Sequence, residues 1–189
     1  MPREIDRQAA AQKRSSRLLI GMAAFILIGV VVYMGLVFVT SRRTPANPDT
    51  RYTAENGVSV YYESATWPVC RMTEDPTLGP VLELASSEDA EDDQYQVVLF
   101  QHGDQATYDD FLEMSQDDLR ASYGVISPKK IDIPVEGATV EAVRCDIQAY
   151  YAVLATITYD SGDVIYVSAL TRLASLNDVL NLIESVSLG

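Results

Sequence analysis

The chain has 189 residues, of which 48% are hydrophobic, and it carries 27 Asp or Glu against 14 Lys or Arg. That is ordinary globular composition with a strong acidic balance, which excludes a nucleic-acid binder built on a basic face. Two cysteines and one histidine leave little from which to assemble a zinc site.

Residues 1–17 are polar and basic and read as a cytoplasmic tail. The run "LLIGMAAFILIGVVVYMGLVFV" that follows carries no charge. As a helix it reaches about 33 Å, enough to cross a bilayer core while satisfying its own backbone. It is longer than the apolar region of a cleaved signal peptide, and it ends in "VTSRR" without a small-residue cleavage pattern. Residues 18–40 are therefore expected to be a transmembrane helix in contact with membrane lipid. Arg3, Arg7, Lys13, Arg14 and Arg17 precede it, against Arg42, Arg43 and Arg51 after it. This bias predicts a single-pass protein of the cell membrane with a cytoplasmic N-terminus.

Residues 41–54 hold Pro45 and Pro48 and read as a linker. Residues 55–189 then form one extracytoplasmic domain. After Arg43 the chain has seven Lys or Arg and 25 Asp or Glu, a formal charge of −18.

Within that domain "GVSVYYES", "ATWPVCRM" and "PVLELAS" predict extended segments. "YQVVLFQH" is apolar on both faces and predicts a strand inside a covered sheet. "TYDDFLEMSQDDLRASYG" predicts a helix whose inner face carries Tyr108, Phe111, Leu112, Ser115, Leu119 and Ser122. Thr107 is its expected cap and Gly124 its stop. Val143, Cys145 and Ile147 share one face of a later strand. "AYYAVLATITYD" and "DVIYVSALTR" are β-branched and aromatic-rich, joined by the turn "DSGD" at 160–163. "SLNDVLNLIESVSLG" predicts a closing helix capped by Ser175, with Leu176, Val179, Leu180 and Ile183 facing inward. Together these elements predict an α/β fold, an antiparallel sheet sandwiched by helices.

The order of elements resembles the PsbP-like family, which includes the photosystem II extrinsic P protein and membrane-anchored or exported bacterial relatives. The residues that carry the resemblance are "VSVYYESATWPV", "VVLFQHGDQATYDDFLEMSQDDL", "VEGATVEAVRC", and "DVIYVSAL" followed by "LNDVLNLIESVSL". The resemblance implies a PsbP-like α/β/α sandwich and an accessory or interaction module. It carries over no functional residue and no cofactor.

Local chemistry points the same way. His102 stands at a strand end with no ligand spacing around it, and no "GxSxG" elbow accompanies it. The cluster "EDAEDD" lacks the alternation and central glycine of a calcium loop, leaving only weak calcium binding through charge. Tyr150, Tyr151, Tyr159 and Tyr166 fall on adjacent strands and read as cross-strand packing or as an aromatic recognition surface. Cys70 and Cys145 have two readings. One is a disulfide closing a loop of about 75 residues, worth about 4 kcal/mol by chain entropy. The other is a pair of buried thiols. The expected function is a membrane-anchored binding or accessory module for an unknown protein or envelope partner, without a catalytic constellation or cofactor. The alternatives are a surface hydrolase whose site assembles only in three dimensions, and a structural subunit of an envelope complex.

Overall fold

The computed structural model describes residues 47–92 and 94–189. The expected tail 1–17 and transmembrane helix 18–40 lie outside the described residues. Among the described residues no helix is long and apolar enough to cross a membrane.

Ten strands and two α-helices make up this region. In order they are β1 (Thr50–Thr53), β2 (Val58–Tyr62), β3 (Val69–Asp75), β4 (Gly79–Ala85), β5 (Val97–Asp104), α1 (Phe111–Tyr123), β6 (Ser127–Ile131), β7 (Ala138–Ile147), β8 (Tyr150–Tyr159), β9 (Asp163–Arg172), α2 (Leu176–Glu184) and β10 (Ser187–Leu188). They form two antiparallel sheets: β1-β2-β10, and a seven-stranded sheet in the order β3-β4-β5-β9-β8-β7-β6.

The period-two pattern of the long strands assigns each side chain to a face. Val98 and Phe100 of β5, Val153 and Ala155 of β8, and Ile165 and Val167 of β9 point one way. They meet Val58 and Val60 of β2, Trp67, and Val179 and Ile183 of α2 in the main core. The alternate residues point to α1. Val81, Val164 and Tyr166 enclose Phe111, while Cys145, Ile147, Ala152 and Leu154 pack near Leu112 and Leu119. β5 and β9 are apolar on both sides, and they lie third and fourth of the seven strands.

The expected sandwich of one sheet between helices is not what forms. The described residues are mostly β-structure in two sheets, with only two helices. The physical reason lies at the two ends of the domain. β1 falls inside the segment 41–54 expected to be linker, and it pairs Thr50 with Tyr62 through Thr53 with Ser59. The closing helix stops at Glu184 and the chain turns into β10, pairing Ser187 with Ser59 and Leu188 with Val58. A second sheet thus takes much of the cover that helices were expected to provide.

The helix ends also differ from expectation. Asp110, not Thr107, is the N-cap residue of α1, and its side chain makes no capping bond. Thr107 instead belongs to the preceding turn, donating to Asp104 Oδ1 at 3.1 Å and accepting from the Asp104 amide at 3.2 Å. Gly124 does end α1, at φ +79°. The buried Tyr166 hydroxyl fastens this corner: it donates to the Asp104 carbonyl at 2.9 Å and accepts from the Tyr108 amide at 3.3 Å. Ser175 occupies the N-cap position of α2 without a side-chain bond.

The "DSGD" turn joins β8 to β9 as expected, with Gly162 at φ +92°. The β7–β8 hairpin closes through Gln148 and Ala149, between the paired Ile147 and Tyr150. Gln148 takes φ +46° there, without the Asn-Gly or Asp-Gly signal of such turns.

Candidate functional site

His102 lies near the end of β5, on the face turned toward the β1–β2 loop. Its Nδ1 stands 2.6 Å from the Asn56 carbonyl oxygen, and its Nε2 lies 3.2 Å from Asp163 Oδ1. A carbonyl and a carboxylate both accept, so each ring nitrogen bonds its partner only when it carries a hydrogen. Ser161 Oγ donates to the other carboxylate oxygen, Asp163 Oδ2, at 2.7 Å. These bonds hold the Asp163 carboxyl below the usual carboxylate range, the Ser161 bond most and the His102 bond next.

Ser161, Asp163 and His102 are therefore neighbours, but not in the order of a nucleophilic relay. In such a relay the hydroxyl donates to the imidazole and the carboxylate orients the ring from behind. Here the carboxylate sits between serine and histidine. The arrangement ties the β8–β9 turn to β5 and, through Asn56, to the small sheet. Among the described residues no three His, Cys, Asp or Glu converge as metal ligands.

Ser161 and Asp163 also form one side of a half-open cleft of about 570 Å³. Its opposite side comes from the end of α2 and from β10, with Glu184, Ser185 and Ser187. Tyr61 and Tyr159 supply aromatic walls, and Glu136 comes from the β6–β7 connection. Tyr61 is 45% exposed and carries the Arg51 guanidinium 5.3 Å from its ring centroid. Tyr159 donates from its hydroxyl to the Val186 carbonyl at 3.2 Å. Its phenol is pushed up by burial. The Tyr61 amide donates to Ser185 Oγ at 3.1 Å, and that hydroxyl donates to the Leu182 carbonyl at 2.7 Å. The cleft wall is thus fastened to both the small sheet and the last turn of α2.

A second, narrower depression runs beside α1 on the other face of the large sheet. One part, about 160 Å³, lies between Leu119 of α1, Leu99, Leu154 and the β3–β4 turn. A second part, about 280 Å³, continues over Val81, Val97 and Tyr95. Asp75 and Leu99 line both. Glu83 at its margin is buried and paired with Arg71 at 3.1 Å, and Arg71 also reaches Glu88 at 2.8 Å.

The expected tyrosine set divides. Tyr166 is 1% exposed and packs edge-on to Tyr108 at 5.2 Å, so it is core. Tyr150 and Tyr151 lie under the guanidinium groups of Arg172 and Arg144. Tyr159 alone of the four lines the larger cleft. Tyr61, Glu136 and Glu184 were missed by the sequence reading, because nothing in their local spacing connects three elements that meet only after folding. The "DSGD" turn was the visible signal, read there as turn chemistry alone.

Of the two readings of Cys70 and Cys145, the topology favours separate thiols over a disulfide. Both cysteines are free. Cys70 is on edge strand β3 and packs against the main core, whereas Cys145 is on β7 and faces α1. Five strand steps separate β3 from β7, about 24 Å at the usual strand spacing. A disulfide requires α-carbons within about 7 Å. Burial pushes both thiols up, which suppresses the reactive thiolate.

No family model matches the chain, and no curated protein matches it. Among solved structures it is similar to a crystal structure from Bacteroides thetaiotaomicron VPI-5482, with a TM-score of 0.41 and 10% identity over 76% of this chain. The chain spans about half the length of that structure, covering 49% of it.

Proposed function

We propose that the chain is a membrane-anchored binding or accessory module, held in the cell membrane by residues 18–40 and presenting its acidic domain outside. The observation that carries the binding reading is the cleft between the β8–β9 turn and β10. It has a volume of about 570 Å³, within the range of small-ligand sites, and its lining mixes aromatic rings, hydroxyls and carboxylates. The uncharged run at 18–39 supports the anchor, and the resemblance of the element order to PsbP-like proteins supports an accessory role.

The test is photo-crosslinking in native membranes, with the full-length chain carrying a benzophenone side chain at Ser187. A discrete adduct is expected from this position and not from Asp117, an exposed residue of α1. Absence of an adduct at Ser187 across label positions and growth conditions overturns the binding reading.

A second reading has one observation in its favour: Ser161 and Asp163 line the same cleft, and His102 contacts Asp163 at 3.2 Å. Hydrolysis would require His102 to leave Asn56 or Asp163 and accept the Ser161 proton. Turnover of an ester substrate that is lost in Ser161→Ala and in His102→Gln would establish it.

A further inference from the structure

Resting on the binding reading, we infer that the cleft between the β8–β9 turn and β10 takes an organic polycation, an alkylamine with at least two separated ammonium groups. Three carboxylates line it, Glu136, Asp163 and Glu184, and no Lys, Arg or His is among its lining residues. They come from three different elements: the β6–β7 connection, β9 and the end of α2. They do not gather at one point as ligands of a bare metal ion would. Negative charge spread around a cavity suits a ligand whose positive charges are spaced along a chain.

The other walls agree with that chemistry. Tyr61 and Tyr159 line the cleft, and aromatic rings attract ammonium groups through the quadrupole and pack against methylene spacers. Tyr61 already holds one cation this way, with Arg51 over its ring at 5.3 Å. Serine hydroxyls at the same wall can accept from ammonium donors. An anionic ligand would meet three carboxylates in a region whose formal charge is −18. The same net charge raises the local concentration of cations.

One set of measurements decides this. The full chain in detergent micelles is titrated calorimetrically with spermidine at low ionic strength, with magnesium chloride and trilysine as separate arms. Saturable one-to-one binding of spermidine is expected, with magnesium giving no matching isotherm. Glu136→Gln and Tyr61→Leu are each expected to weaken binding about three- to fivefold, as suits partly exposed contacts. Glu113→Gln on α1 removes the same charge far from the cleft and should leave the affinity unchanged. Equal weakening by Glu136→Gln and Glu113→Gln would show general electrostatic attraction and overturn the assignment. So would magnesium binding as well as spermidine, no spermidine binding at all, or binding by trilysine alone, which would assign the cleft to a basic peptide. Spermidine should also suppress the Ser187 adduct. An adduct that spermidine neither binds beside nor suppresses leaves the binding reading standing and removes the polycation. Absence of the adduct without added spermidine, together with no spermidine binding, removes both.

Discussion

The two faces of the seven-stranded sheet are covered in different ways. On one face, α2 buries Val179, Leu180, Leu182 and Ile183 within nine residues and shares the core with the small sheet. On the other, α1 is longer, with 13 residues, yet buries only Phe111. The first face is densely filled beneath α2, with its cleft opening past the end of that helix, while the second keeps an open depression beside its helix. Helix length therefore says little about how firmly a helix is held. The density of apolar side chains on its inner stripe decides, and α1 spends many of its positions on acids and serines.

Removing Phe100 attacks the α2 face. It is fully buried in the main core, so Phe100→Ala should cost about 3–5 kcal/mol in urea unfolding and lower the stability of the whole domain. A loss under about 1 kcal/mol would show that the core refills the space. Phe111→Ala strikes the α1 face. It should cost about 3 kcal/mol, and hydrogen exchange should show α1 amides losing protection before those of β5, β8 and β9. Simultaneous loss across α1 and these strands would erase the contrast between faces.

Tyr166→Phe is smaller. It keeps the ring but deletes the bonds to the Asp104 carbonyl and Tyr108 amide, at about 1 kcal/mol, read by thermal or urea unfolding.

Two carboxyls should respond to pH with opposite signs. Lys129 and Arg144 hold Asp146 below the usual range, the Lys129 bond most, despite some burial. Its stabilising contribution is present above the ordinary Asp value and is lost as pH falls through the depressed folded value. Asp178 is pushed up, by burial first and Glu63 second. Its ionisation opposes folding, so its relative contribution is best below the ordinary value and is lost as pH rises through the raised one. Asp146→Asn should therefore lower Tm at neutral pH, and Asp178→Asn should raise it. Both differences should vanish in acid, and differences that stay constant with pH would contradict the assignment.

The smallest expected change is none. After denaturation without reductant, both cysteines should alkylate fully, and reductant should add no further mass. Protection of two thiols until reduction would restore the disulfide that the topology rejects.

The strands of the large sheet were legible because their periodicity is strong. "VVLF" declares a strand covered on both sides, and the core confirms it through Val98 and Phe100 on one face and Leu99 on the other. The small sheet was not legible. β1 sits after two prolines in a polar stretch, and β10 has only two residues, so neither carries a pattern without its partner β2. Thr107 shows a similar limit: a hydroxyl before a helix has several acceptors within reach, and Asp104 won. The cleft was readable only in part. Tyr159 and "DSGD" stood out, but Tyr61 and Glu184 are 123 residues apart in sequence and meet through tertiary folding.

The small sheet has a practical corollary. β1 and β10 flank β2 and both run opposite to it, so the chain enters and leaves this sheet heading the same way. Gly189 is itself fastened, its amide donating to the Gly57 carbonyl at 2.9 Å beside the β1–β2 turn. A reporter fused after Gly189 would emerge at that turn, at the opposite end of the sheet from Thr50, and a bulky fusion without a spacer would press on the very hairpin that His102 grips.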